Sequence, residues 1–221
     1  AYTGVVAVAA VDAREAVPGF SNRGEAITVV APGYGVAAAG TNEQVVAFSG
    51  TSAATPLVSG LVAALRAREP GLTAAQVVER LTQTADDIHE PGVDRLTGAG
   101  AINAQRAMER GRSGIYDVAA GVPYTVPQEE PGGDLIFYVY AQNRGTERLG
   151  SITLKVEVNG RAQEFPYRDV APGATVSRKL WVTAAEMRIQ REAHVICTAV
   201  IAERDRDPEN DRVEMRIKVV E

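Results

Sequence analysis

One serine in this chain has neighbours that would let its hydroxyl act as a nucleophile. Residues 50–56 read Gly-Thr-Ser-Ala-Ala-Thr-Pro, so Ser52 follows two small residues and opens a long apolar run. Pro56 comes four residues after Ser52, where we expect a first helical turn that still tolerates proline. The pattern predicts a buried helix with Ser52 at its amino terminus, where the Ser52 amide could stabilise a developing oxyanion. The alternative interpretation is that Ser52 only caps this helix.

A hydrolytic serine needs a neighbouring base, and the chain offers no obvious one. Its two histidines are His89, in a polar loop after a predicted helix, and His194, at the start of a predicted strand. We interpret both as ordinary loop or strand residues. The sequence therefore assigns a candidate nucleophile, Ser52, but neither its base nor the acidic residue that would orient that base.

Composition narrows the class of protein. The 221 residues suffice for two modest domains, and the net charge of -5 argues against a surface for nucleic acid or anionic membranes. Cys197 is the one cysteine, so no intrachain disulfide is possible. No apolar run reaches membrane-spanning length, and no signal peptide is visible. Because the sequence starts at Ala1, we expect a cut end: a processed product, an artificial boundary or one half of a larger protein.

The first half of the sequence has the pattern of an α/β fold. Three apolar runs predict strands, the first of them covered on both faces of a sheet: residues 5–11, 27–30 and 45–48. Residues 53–65 are apolar almost all round, which predicts a buried helix. A capping-box pattern at Thr73 opens a second helix through Leu81, and residues 101–109 are expected to form a last one. We expect a partial parallel sheet with helices.

The second half changes to short alternating runs without strong helix signals. Six runs predict strands: residues 135–140, 152–158, 161–167, 174–182, 194–202 and 213–220. Asn159 and Gly160 between two of them predict a tight hairpin turn. This spacing favours an all-β antiparallel sandwich. A polar, glycine-bearing stretch at residues 110–114 marks the boundary, which divides the chain into domains 1–112 and 113–221.

Several motifs of the first half resemble the carboxy-terminal part of the catalytic domain of subtilisin-like serine proteases (subtilases). The serine segment matches that family's Gly-Thr-Ser-Met-Ala-any-Pro motif, with Ala53 in place of methionine. Three further segments follow the family's order: residues 5–12, a strand before a substrate-proximal loop; residues 20–24 and 30–33, its Phe-Ser-x-x-Gly and Ala-Pro-Gly pair; and residues 97–103, its closing Gly-x-Gly-x-Ile-Asn turn. The resemblance covers residues 1 to about 110 and implies a subtilisin-like sheet.

The resemblance also implies a function, a serine endopeptidase that hydrolyses peptide bonds through an acyl-enzyme on Ser52. Residues Phe48, Ser49, Gly50 and Thr51 would then line the substrate and oxyanion region. In that family the acidic residue and the histidine precede the serine by more residues than are present here. We therefore expect a missing amino-terminal segment or a separate chain to supply them, and this chain alone to be inactive.

A second function from another class remains open. The chain could be a pseudoprotease, a binding module whose β-sandwich recognises another protein. We expect a location outside the cytoplasm only because members of the family that the first half resembles are usually found there.

We expect no metal cofactor, with calcium as the alternative. Some relatives bind calcium in a region that corresponds to Tyr2 and residues 24–28, but Ala26 and Thr28 stand where those relatives carry acidic residues. A later loop carries five acidic residues: Glu203, Asp205, Asp207, Glu209 and Asp211. Its interleaved arginines and missing glycine favour a solvated hairpin over a calcium loop.

The second half resembles adhesion-type immunoglobulin-like (CARDB-like) modules of bacteria. The resemblance is carried by residues 139–145, 170–173 and 209–211. The alternation of its strands places Tyr138 and Trp181 at core positions, and we interpret both as packing residues rather than a ligand platform. Cys197 lies in an apolar strand, which predicts a buried thiol.

Overall fold

The computed structural model describes residues 4–127 and 132–218. The chain divides into two compact units. Unit 1 comprises residues 1–88 and 92–111, and unit 2 comprises residues 89–91 and 112–221. Each unit is described by itself.

Unit 1 is built on two parallel strands, β1 (Val8–Val11) and β2 (Val29–Pro32). Their central residues are fully buried, as expected for a parallel pair with both faces covered. β1 is shorter than the predicted run of residues 5–11, and Val5 is 61% exposed. β2 has the predicted length of four residues but begins two residues later than the predicted run 27–30, and the Thr28 hydroxyl oxygen before it accepts a hydrogen bond from the Ala7 amide.

The third predicted strand forms, but it does not join the parallel pair. It is β4 (Val45–Phe48), which pairs antiparallel with β3 (Val36–Ala39), a strand that the sequence did not predict. A single 3₁₀ turn over Thr41–Glu43 reverses the chain between them, and the Gly40 amide closes it by donating to the Gln44 carbonyl at 2.7 Å. The expectation of a third parallel strand is therefore wrong.

Three helices complete unit 1: α1 (Thr51–Arg68), α2 (Ala74–Gln83) and α3 (Ala104–Glu109). The predicted capping box of α2 is present, because Thr73 Oγ1 accepts from the Gln76 amide and the Gln76 side chain accepts from the Thr73 amide. Helix α3 begins later than predicted. The side chain of Asn103 caps it by accepting from the Arg106 amide at 3.0 Å.

Helix α1 is buried on one face only, which corrects the prediction of a helix buried all round. Its buried side chains, among them Val58, Leu61 and Leu65, belong to one core cluster together with residues of β1 and β2. The opposite face is exposed, although no charged residue occurs between Thr51 and Leu65. Hydropathy alone could not distinguish a helix covered on two faces from one that leaves an apolar face open.

Unit 2 consists of two antiparallel sheets. Its strands are β5 (Val118–Ala120), β6 (Tyr124–Thr125), β7 (Leu135–Asn143), β8 (Leu149–Val158), β9 (Arg161–Val170), β10 (Thr175–Val182), β11 (Glu192–Val200) and β12 (Arg212–Lys218). One sheet has the order β10-β7-β5, with β6 also paired to β7, and the other has the order β12-β11-β8-β9. Side chains of both sheets, for example Phe137 and Leu154, share one buried core. The predicted tight turn at Asn159 and Gly160 joins β8 to β9, and both residues have positive φ.

The sequence missed β5, β6 and a short helix of unit 2. This helix, α4 (Ala184–Gln190), begins with a second capping box, in which Thr183 and Glu186 bond to each other's backbone amides. The Thr-x-x-Glu pattern that announces such a box is present in the sequence, so the signal was available.

The two residues predicted at core positions in unit 2, Tyr138 and Trp181, both lie on outer faces of its sheets. Trp181 is 64% exposed, because its neighbours Leu180 and Val182 take the inward positions of β10. Tyr138 is half-buried on the outer face of β7, where it stacks on Tyr124 with 6.4 Å between ring centroids. Cys197 is buried as predicted, and burial raises the pKa of its thiol to about 12.

Candidate functional site

Ser52 is the second residue of α1, and its side chain is exposed. Among the described residues none forms a hydrogen bond with its hydroxyl. The residue at the N-cap is Gly50, and no side chain caps the helix. The interpretation of Ser52 as a helix cap is therefore wrong. The amides of a first helical turn have no intrahelical acceptor, so the Ser52 amide points out of the helix end as a donor.

Gly50 adopts a backbone conformation that other residues avoid. Its φ is 150° and its ψ is 161°, a region populated almost only by glycine. This conformation turns the chain sharply from β4 into α1. The nucleophile turn, by which we mean residues 48–52, therefore depends on a glycine immediately before Thr51.

Pro56 lies deeper in the helix than the sequence suggested. It is the sixth residue of α1, beyond the first turn, and its ring nitrogen cannot donate to the carbonyl of Ser52. The expectation of a proline within the first turn is wrong. The turn is stabilised differently: the Thr55 hydroxyl donates to the Thr51 carbonyl at 2.9 Å.

The Ala-Pro-Gly segment at the end of β2 positions the nucleophile turn. The Gly33 amide donates to the Val11 carbonyl at 2.9 Å, and the Gly33 carbonyl accepts from the Gly50 amide at 2.8 Å. A methyl group on Gly33 would lie 2.5 Å from the Ala10 Cβ and 2.9 Å from the Gly50 carbonyl oxygen. Only glycine allows this close approach between the ends of the parallel strands and the start of α1.

The four residues assigned to the substrate and oxyanion region lie together with Ser52 on this turn. Phe48, at the end of β4, is 45% exposed. Ser49 is exposed, and its hydroxyl oxygen accepts from the Gly35 amide at 2.9 Å. Gly50 and Thr51 are half-buried. The turn thus presents a nucleophile candidate, a free amide and an exposed aromatic ring.

Unit 1 also carries a pair of exposed aromatic rings that sequence reasoning missed. Phe20 and Tyr34 stack with 6.4 Å between ring centroids and 11° between ring planes. Phe20 belongs to the Phe-Ser-x-x-Gly segment and Tyr34 follows the Ala-Pro-Gly segment, so the two family-like motifs meet here. No sequence signal links residues this far apart.

Neither histidine belongs to the nucleophile turn. His194 Nε2 lies 2.8 Å from Glu214 Oε1 across the β11–β12 ladder, and this bond is the main cause of the lowered pKa of the Glu214 carboxyl. His89 lies in a loop with φ at 75°. These placements agree with their interpretation as ordinary loop and strand residues.

Within the described ranges, no group of three or more histidine, cysteine or acidic side chains could hold a metal ion. The proposed position of Tyr2 in a calcium site lies outside the described residues. In the acidic loop, Asp205 accepts hydrogen bonds from the Val118 and Asp207 amides, so the loop is tied to β5 and is more than a solvated hairpin. Burial, followed by the charges of Asp205, Asp117 and Asp207, raises the pKa of Asp211 to about 7.

The structure thus places an exposed serine, Ser52, at the amino terminus of α1. Residues 1–100 match the model of the Subtilase family. The chain is 41% identical to a thermostable alkaline protease of Halalkalibacterium halodurans over 49% of this chain and 29% of that protein. It is 40% identical to Mycosin-1 of Mycobacterium tuberculosis over 52% of this chain and 28% of that protein.

A solved structure of the serine protease MycP1, an essential component of the type VII (ESX-1) secretion system, is also similar. It shares 34% identity and covers 47% of this chain and 31% of that one, with a TM-score of 0.44. The chain thus spans less than a third of the length of these two curated relatives. In the described part of the chain, no helix has the length and apolar character needed to cross a membrane.

Proposed function

We propose that this chain carries the nucleophile of a subtilisin-type serine endopeptidase. The observation that carries the proposal is the exposed Ser52 hydroxyl, which is unpaired among the described residues, at the amino terminus of α1. The family match of residues 1–100 supports it, because the relatives that it contains are proteases. The substrate is a protein or peptide.

The reaction would use the turn in the following way. Ser52 Oγ attacks the carbonyl carbon of a peptide bond while a base takes its proton. The negative charge on the former carbonyl oxygen is stabilised by the Ser52 amide and the partial positive charge of the α1 amino terminus. The base then protonates the leaving amine, and water hydrolyses the acyl-enzyme on Ser52. Gly50 leaves room for the substrate backbone because it has no side chain.

The acidic residue and the imidazole would come from a preceding segment of the gene product or from a separate chain. Two observations support such a partner. The chain spans 29% of the length of its alkaline protease relative. The exposed side chains of Val45, Val46 and Phe48 leave apolar surface on β4, the strand that leads into the nucleophile turn. Without this partner the chain would be inactive.

The experiment compares the complete gene product with its Ser52→Ala variant. We expect a serine-reactive phosphonate to label Ser52, and the substitution to abolish labelling and lower peptide hydrolysis about 10³-fold or more. Ser59→Ala is the matched control, because Ser59 is an exposed hydroxyl on the same helix that donates to the Thr55 carbonyl. Hydrolysis by this chain alone, or labelling that survives Ser52→Ala, would contradict the proposal.

A binding role for unit 2 is the second candidate, and the exposure of Trp181 favours it. A solvent-facing tryptophan on a sheet is a common anchor for another protein. If the complete gene product is not labelled by the phosphonate but still binds a protein partner through Trp181, the pseudoprotease interpretation replaces the enzyme. The two antiparallel sheets around one core support an immunoglobulin-like assignment for unit 2, and the family resemblance supports a location outside the cytoplasm.

A further inference from the structure

One strand pair and two hydrogen bonds successively connect the chain after β2 to the chain before α1. The β3–β4 ladder begins with Val36 opposite Phe48. The next connection is the Gly35 amide to Ser49 Oγ at 2.9 Å, and the last is the Gly50 amide to the Gly33 carbonyl at 2.8 Å. Ser49 therefore continues the ladder with its side chain.

The middle connection matters because the residues around it are intrinsically flexible. Gly33, Gly35 and Gly50 supply the backbone on both sides, and glycine loses more conformational freedom on folding than any other residue. Hydrogen bonds between the two segments restrict this conformational freedom. Within the described residues, Ser49 supplies the side-chain bond that joins these two segments, three residues before the nucleophile candidate.

We propose that Ser49 is a positioning residue for Ser52, an inference that rests on the proposed function. Its hydroxyl oxygen accepts from the Gly35 amide and thereby fixes the nucleophile turn in the orientation that presents the Ser52 hydroxyl. This role differs from lining the substrate region, because a positioning residue changes the rate of attack, whereas a lining residue changes substrate affinity.

The test uses three variants of the complete gene product: Ser49→Ala, Ser49→Thr and the control Ser59→Ala. We expect Ser49→Ala to lower kcat and the rate of phosphonate labelling at Ser52 by about two- to tenfold, the effect of one lost hydrogen bond, with KM unchanged. Ser49→Thr keeps the oxygen and should restore both rates. Amide hydrogen exchange at Gly35 should be faster in Ser49→Ala alone.

Each outcome decides the proposal. Unchanged hydrogen exchange at Gly35 in Ser49→Ala would refute the bond itself, whether or not the protein is a protease. Faster exchange with an unchanged labelling rate would refute the positioning role, as would a rise in KM at constant kcat. If the wild-type protein is not labelled at all, the proposed function fails and the positioning role falls with it, while the exchange data still report the bond.

Discussion

The two units place their apolar side chains differently. In unit 2 the inward side chains of both sheets form one buried core, and the large exposed apolar residues lie on separate elements, as Trp181 does on β10 and Ile189 on α4. In unit 1 three of the large exposed apolar residues share one strand. Val45, at 77% exposure, Val46 and Phe48 follow each other on β4 and lead directly into the nucleophile turn.

We expect this difference to separate a structural surface from a functional one. Scattered exposed apolar residues are normal on a protein surface, whereas a contiguous apolar patch marks a site for substrate or for another polypeptide. The exposed residues of β4 lie close to Ser52 in the sequence, within residues 1–100 that match the Subtilase family model. We therefore expect substitutions in unit 2 to act on stability and equivalent substitutions around the nucleophile turn to act on function.

The largest expected effect on the free energy of unfolding comes from comparing alanine substitutions at two phenylalanines, one in each unit. Phe137 is fully buried in the core of unit 2, and Phe48 is 45% exposed. Phe137→Ala should lower the free energy of unfolding of unit 2 by about 3–5 kcal/mol. Urea titration followed by the fluorescence of Trp181, the one tryptophan of the chain, measures this loss.

Phe48→Ala is the matched control for that comparison. It should change the free energy of unfolding by about 0.5 kcal/mol or less, measured by hydrogen exchange in α1, because Phe48 is 45% exposed and lies outside the core clusters of the described residues of unit 1. Similar losses in the two variants would mean that the apolar surface of unit 1 is structural, and the contrast between the units would not hold.

Local patterns in the sequence predicted local structure well. The capping box at Thr73 and the hairpin turn at Asn159 formed as predicted, because each rests on hydrogen bonds or dihedral angles within a few residues. The exposed Ser52 turn also follows from a local motif. Predictions from the sequence were wrong where the structure depends on contacts between distant residues. Examples are the exposed face of α1 and the antiparallel pairing of β4 with β3.

Trp181 illustrates a different limit. Alternation along a strand gives two faces but does not say which one is inward when both carry apolar residues. Here Leu180 and Val182 took the core positions and left the larger ring outside. Likewise, the raised pKa of Asp211 could not be predicted, because it depends on burial and on Asp117, a residue far away in the sequence.

A smaller expected effect concerns the pH dependence of unit 2. In the folded protein Asp211 keeps its proton up to a pKa of about 7, whereas an unfolded aspartate ionises near 3.8. Between about pH 4 and pH 7 the folded protein therefore binds a proton on Asp211 that the unfolded chain has lost. The free energy of unfolding falls as the pH rises from about 4 to about 7 and stays constant above that. Asp211→Asn removes this dependence. At pH 8 it should stabilise unit 2 by about 1–2 kcal/mol, less than the full shift implies because the carboxyl is partly exposed.

Urea titrations at pH 5 and pH 8, followed by Trp181 fluorescence, measure the effect of Asp211→Asn. Glu209→Gln removes an exposed carboxyl from the same loop and should leave the pH dependence as in the wild type. An identical response in the two variants would show that the net charge of the loop, rather than the surroundings of Asp211, controls stability.

The smallest expected effect compares the two capping boxes, one in each unit. Thr73 Oγ1 and Thr183 Oγ1 each accept from the amide three residues later at 3.3 Å. Replacing either threonine by alanine should cost about 1 kcal/mol, measured by hydrogen exchange in α2 or α4, and serine should restore most of it. The two boxes differ in charge, because Glu186 is ionised and pairs with Arg161 at 2.8 Å, whereas Gln76 is neutral. The contribution of Thr183 should therefore fall with added salt and that of Thr73 should not, so an equal salt response in the two helices would contradict this account.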